Sequence, residues 1–149
     1  MTDFKKKAEE KNYWRKRNKF YYDSLENLFK NLIPANASVL EVGCTEGDSL
    51  HALGNKNQAG FDFNPYHIQN AKQKYPSIKF YCIDAEAPDF NGKAKEINQQ
   101  FDFIILCDLI GTLNDIQNVF ERLKVFCHSR TKVIVTYRNY FWNPVLKAA

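Results

Sequence analysis

Val39-Leu-Glu-Val-Gly-Cys-Thr-Glu-Gly-Asp-Ser-Leu50 is the stretch on which the reading of this 149-residue chain turns. Ser38–Val42 reads as a short apolar strand that runs straight into the turn Gly43-Cys-Thr-Glu-Gly47. A helix is expected from about Thr45, with Thr45 as its cap and Asp48 three residues on, stopping at Gly54. Glycines in such a turn let the backbone approach a ligand closely, and the helix start aims unpaired N–H donors at it.

The pattern repeats outward from this unit. Gln58–Asp62 reads as a second strand, and Asn64-Pro65 supplies cap and first turn for a helix ending at Tyr75-Pro76. Ile78–Ile83 is a third strand, followed by a polar stretch over 86–100 with a short helix around Ala94–Asn98. Phe101–Cys107 is the fourth strand, apolar enough for the sheet centre. A helix capped by Thr112 would bring Ile116, Val119, Phe120, Leu123 and Cys127 to one face, and Thr131–Tyr137 is the fifth strand. Strands alternating with helices in this way imply an α/β, doubly wound, mostly parallel sheet of about five strands in the order 3-2-1-4-5. Upstream, residues 4–33 read as a helix broken once, with Trp14, Tyr21, Leu25, Leu28 and Leu32 on one face. Pro34 ends it, so residues 1–34 form a helical extension to a domain over 35–149.

Composition is that of an ordinary globular protein, with 44% hydrophobic and 26% charged residues. No apolar run reaches the length of a membrane span, and the charged first twenty residues lack the apolar segment of a secretory signal. Cys44, Cys82, Cys107 and Cys127 are scattered, with no C-x-x-C pair and no histidine at ligand spacing, a pattern of reduced cytoplasmic thiols rather than a metal site. The net charge of +4 is local to the start: residues 1–20 hold eight Lys/Arg against three Asp/Glu, the rest thirteen against fourteen.

In a doubly wound sheet a ligand sits past the carboxyl ends of the strands, where the strand order reverses. Gly43 to Gly47 follow the first strand, and Asp62, nineteen residues beyond Gly43, closes the second, where a carboxylate can accept from both hydroxyls of a ribose. Asp84, Ala85 and Glu86 follow the third strand, suited to an adenine amino group, and Cys107-Asp108-Leu109 follow the fourth. A dinucleotide fingerprint, G-x-G-x-x-G, would need glycine where Thr45 and Asp48 stand. Glu41, Glu46 and Asp48 would also crowd a pyrophosphate, whereas they would suit a sulfonium ligand carrying an ammonium group.

Val39–Leu50 resembles motif I of the class I, Rossmann-like S-adenosylmethionine-dependent methyltransferases, written (D/E)-x-G-x-G-x-G. Gly60-Phe-Asp-Phe-Asn-Pro-Tyr-His-Ile-Gln-Asn-Ala71 is similar to the segment after their second strand, and Phe101–Ile110 to their fourth; the likeness covers roughly residues 20–140. The resemblance implies that S-adenosyl-L-methionine is the cofactor, with Glu41, Gly43, Cys44 and Gly47 around its methionine end. Asp62 would hold the ribose, Phe63 would lie beside the adenine, and Asp84 and Ala85 would meet its amino edge. Cys107 and Asp108 would floor the transferred methyl, and Thr45, in place of the motif's middle glycine, and Asn64 complete the expected set. The family's sheet has seven strands, so its last two are expected to be missing here. A homodimer or a C-terminal partner would then cover the edge of strand five.

The expected reaction is methyl transfer to a small molecule or sugar. Asp108 is the first candidate base, and His67 the second, expected to face solvent. Tyr137–Trp142 would line an acceptor pocket or pack as core, and Asn143-Pro144 reads as a further helix start. Lys11–Tyr22 interleaves basic and aromatic residues, which suits an RNA methyltransferase gripping phosphate, or a lid of Tyr and Trp over the cofactor. A Rossmann domain that binds its nucleotide cofactor without methyl transfer is the third alternative.

Overall fold

The computed structural model describes residues 2–137. Five parallel strands form one sheet: β1 (Val39–Val42), β2 (Gln58–Asp62), β3 (Lys79–Cys82), β4 (Phe101–Cys107) and β5 (Cys127–Thr136), in the order β3-β2-β1-β4-β5. The expected order is the one observed. Side chains alternate across each strand, so the sheet builds two cores. Leu40, Val42, Phe61, Ile104 and Leu106 face α5 (Phe90–Ala94) and α6 (Ile116–Leu123), with Phe90, Val119 and Phe126 packed on them. Val39, Phe103 and Ile105 face the other way, onto Phe29 of α2 (Lys19–Leu32), Leu50 of α3 (Asp48–Leu53) and Ile68 of α4 (Pro65–Lys74). Among the described residues, no helix is long and apolar enough to cross a membrane.

β2 and β4 have the bounds the sequence predicts, and so does α4, whose Asn64 cap accepts the Tyr66 N–H at 3.0 Å. Other elements depart from expectation for local reasons. Thr45 and Gly47 adopt φ of +49° and +80°, which no helix contains, so α3 begins at Asp48 and Gly47 is its cap. The helix expected over Ala94–Asn98 lies at Phe90–Ala94 because fully buried Phe90 anchors it, and Asn98 is left-handed at φ +41°. Asp115, not Thr112, caps α6: its side chain accepts the Asn118 N–H at 2.9 Å, while Thr112 ends a 3₁₀ turn. Ile116 is exposed and Cys127 opens β5 instead of closing the helix. β5 begins four residues early because a register shift between Phe101 and Phe103 absorbs the irregular start.

The N-terminal extension is two helices, α1 (Thr2–Arg17) and α2, broken at non-helical Asn18. The break is as expected, but the buried face is not. A stripe counted continuously through Asn18 loses phase, and within α2 the core face runs Leu25, Phe29, Ile33. Leu28 and Leu32 are left exposed. Of Tyr137–Trp142 only Tyr137 lies within the described residues, and Asn143-Pro144 lies outside them.

Candidate functional site

The carboxyl ends of β1, β2 and β3 bound a cleft of about 280 Å³ lined by Gly43, Asp62, Phe63, Asp84, Ala85 and Leu109, with Glu86 and Thr112–Asn114 on its far wall. Gly43 is required by two constraints at once. Its φ is +71°, and a Cβ there would come within 2.9 Å of the Leu109 side chain. Its N–H and that of Cys44 both donate to the Phe61 carbonyl, tying the turn to the end of β2.

That tie positions Asp62. Thr45 N–H donates to its Oδ2 at 3.0 Å and Asn64 N–H to its Oδ1 at 2.8 Å, so both oxygens are oriented by backbone before any ligand arrives. The left-handed Thr45 is what turns its N–H toward Asp62. Across the cleft, Glu86 accepts from the backbone of Asn114 and Asp115 and from the Asn114 amide, which pins the loop before α6 as a wall. Among the described residues, three carboxylates and no basic side chain line the space. A pyrophosphate would meet repulsion there, and a neutral nucleoside attached to a cationic tail would not.

Behind the Gly43 turn lies Glu41, 3% exposed, with Oε2 lacking any hydrogen-bond partner. Burial, reinforced by Asp48 and Asp62, pushes its carboxyl up to about 8 against the opposing pull of Arg15 and Lys11. A buried acid short of a donor is a place for a cation or a donor to arrive. An ammonium-bearing nucleoside therefore fits the residues present.

Several expected site residues carry structural contacts. Cys44 turns its thiol into the core, against Gly60 and Leu50, and burial raises its pKa well above the usual thiol range. At Gly47 a Cβ would sit 2.3 Å from the Phe80 ring, so the missing side chain makes room for that ring. Asn64 uses its amide oxygen on Tyr66 N–H and its amide nitrogen on the Phe4 carbonyl. Cys107 is pushed up to about 12 by burial and receives the Thr136 hydroxyl at 3.6 Å, so it stays a neutral thiol. Asp108 stands past the end of β4 at φ +51°, outside the nucleoside cleft, with the Tyr21 hydroxyl donating to its two oxygens at 2.8 and 3.0 Å. His67 does not face solvent. Packing of α1 over α4 leaves it 5% exposed, with Nδ1 unpartnered; burial lowers its pKa although Asp62 and Glu46 oppose this.

The contact of Tyr21 with Asp108 has no signature in the sequence, Leu109 was marked only by its place after the fourth strand, and Asn114 was not singled out. The Asn114-Asp115 pair, a common turn former, was the available signal for the last of these. Glu46, one of the acids expected to crowd the turn, is already satisfied by Asn12, Asn70 and Lys74.

The methyltransferase-domain family matches residues 13–148 of the chain. A curated relative, the bifunctional methionine biosynthesis protein MetXA/MetW of Rhodopirellula baltica, is 28% identical over 125 residues, covering 80% of this chain and 20% of the relative. The chain thus spans about a fifth of that relative's length. A putative S-adenosylmethionine-dependent methyltransferase of Methanococcus maripaludis superposes with TM-score 0.71 at 15% identity, over 97% of this chain and 69% of that one. A methyltransferase of Thermotoga maritima, described as a possible histamine N-methyltransferase, gives 0.69 at 18% identity, over 89% and 58%. With the strand order, the acidic cleft and the motif at Val39–Leu50 all in agreement, the chain belongs to the methyltransferase-domain family, with the Rossmann-like fold of S-adenosylmethionine-dependent methyltransferases.

Proposed function

We propose that the protein binds S-adenosyl-L-methionine and transfers its methyl group to a small-molecule or sugar acceptor. The observation that carries this reading is the acidic cleft at the ends of β1–β3, with the Asp62 carboxylate held by two backbone N–H groups and orphaned Glu41 behind it. Asp62 would take the ribose hydroxyls, Phe63, Asp84 and Ala85 the adenine, and Glu41 the charged methionine end. When bound, the cofactor supplies an electrophilic methyl group. The residues of this chain then have three tasks: holding the nucleoside, shielding the methyl end from water, and presenting the acceptor.

A small acceptor is favoured over RNA by how the N-terminal helices are spent. The contacts of α1 fall on the rim of the site, and Lys7 and Lys19 are paired with Asp3 and Asp23. The small-molecule amine in the name of the Thermotoga relative agrees with this.

Calorimetric titration of the protein with S-adenosylhomocysteine and, separately, with NAD tests the reading. Binding of the former at micromolar levels, lost in Asp62→Ala, is expected. Binding of NAD alone would refute it.

A further inference from the structure

Phe29 anchors α2 in the core, but the polar and ring contacts of α1 and α2 with the rest of the protein land around one opening. Phe4 stacks edge-on against Phe63 with ring centroids 6.0 Å apart, and its carbonyl accepts from Asn64. Asn12 donates to Glu46 in the turn after β1, and Arg15 pairs with Asp48 at the start of α3. Tyr21 reaches Asp108. Ala8 is the one buried apolar side chain of α1 among the described residues, so little hydrophobic area fastens this helix down. Beneath the two helices lie two buried polar atoms without partners, Glu41 Oε2 and His67 Nδ1. A hydrophobic hinge cover would not leave such atoms; a cover over a polar ligand would.

Tyr21 occupies a particular place in this arrangement. The nucleoside cleft belongs to the ends of β1, β2 and β3, whereas Asp108 follows β4, on the other side of β1. Leu109, packed on Gly43, divides the two. Asp108 is therefore at the end where the amino-acid half of the cofactor must lie if the nucleoside fills the cleft. Its backbone is left-handed, with the N–H donating to the Thr136 carbonyl and hydroxyl, so its position is over-determined. The Thr136 hydroxyl also lies 3.2 Å from Asp108 Oδ1, and the Tyr21 hydroxyl, from 87 residues away in the chain, donates to both carboxylate oxygens.

We propose that Tyr21 is a positioning residue for the amino-acid half of the cofactor: from α2, anchored in the core by Phe29, its hydroxyl holds the Asp108 carboxylate toward the ammonium group. The proposal rests on the methyltransferase reading. An ammonium arriving beside Glu41 would satisfy its orphaned oxygen.

Two ligands separate this role from a merely structural one. S-Adenosylhomocysteine carries the amino-acid half; 5′-methylthioadenosine has the same nucleoside and sulfur without it. Tyr21→Phe keeps the ring and removes the hydroxyl. It is expected to weaken S-adenosylhomocysteine by about tenfold, the order of a hydrogen bond to a charged group, and to leave methylthioadenosine unchanged. Asp108→Asn should have the same selectivity, and the double variant should add little to either. In the wild-type protein, amide exchange across α1 should slow on adding S-adenosylhomocysteine and not on adding methylthioadenosine. Equal weakening of both ligands, or of neither, overturns the assignment of Tyr21. Failure of the wild type to bind S-adenosylhomocysteine at all overturns the cofactor reading itself, a different result from the first.

Discussion

Replacing Glu41 by Gln should make the protein more stable in mild alkali than in mild acid, relative to wild type. In the folded protein the Glu41 carboxyl is raised to about 8 by burial, against 4.5 in an accessible chain. A raised acid contributes its stability fully below pH 4.5 and loses it as pH climbs through that value to about 8, because the unfolded chain sheds the proton first. Each pH unit in that window is worth about 1.4 kcal/mol, so between pH 5 and pH 8 wild type loses up to roughly 3.5 kcal/mol through this group. Water entering beside the carboxylate would reduce that to about 2 kcal/mol. Gln stays neutral throughout and carries none of this dependence. At about 150 residues, 2–3.5 kcal/mol corresponds to roughly 5–12 °C in melting temperature. The assay is thermal unfolding of both proteins at pH 5 and pH 8, followed by circular dichroism. Burial, the larger cause of the raised thiols of Cys44 and Cys107, is common to both proteins and cancels in the difference of differences, whereas the smaller push from the Glu41 charge does not. A melting-temperature gap between variant and wild type that is the same at both pH values would refute the burial of Glu41 as an uncompensated acid. A second consequence is proton release: binding a cationic ligand at pH 7 should ionise Glu41, visible as an enthalpy that depends on the buffer.

Thr45→Gly relieves a β-branched residue held at φ +49° while keeping the N–H on Asp62. The relief of about 1–2 kcal/mol, less about 0.5–1 kcal/mol for glycine's freer unfolded chain, should raise the urea midpoint slightly, and a fall would argue against stored strain. Gly47→Ala places a Cβ 2.3 Å from the Phe80 ring at φ +80° and should destabilise by about 2 kcal/mol or more. An unchanged midpoint would mean that Phe80 rotates away freely.

What the sequence disclosed and what it hid divide along physical lines. β4 and β2 were legible because a strand buried on both faces must be an apolar run, and α4 because Asn64-Pro65 and Tyr75-Pro76 punctuate both its ends. The starts of α3 and α6 were not, since dihedral angles at Thr45 and a competition between Thr112 and Asp115 for the cap decide them. In the site, Gly43, Asp62, Phe63, Asp84 and Ala85 could be placed from strand ends alone, because a parallel sheet puts all such ends on one rim. The packing demand on Gly47 was not legible, because the ring that makes it, Phe80, lies on another strand. His67 and Tyr21 depend on how α1 and α2 fold back, and no local pattern carries that information.

The strand order also dictates the sequence of events by which the site is completed. β1 meets β2, and β2 meets β3, across separations of about twenty residues, from Val39 to Gln58 and Ala59 to Lys79. β1 meets β4 only by joining Val39 to Phe103, and closing that longer loop costs about 1 kcal/mol more in chain entropy. The nucleoside end therefore assembles from near neighbours, while the methyl end waits for a distant strand. Tyr21 is made long before Asp108, and its contact with that residue cannot form until β4 has docked. Tyr21 thus leaves the ribosome 87 residues ahead of the partner it must find.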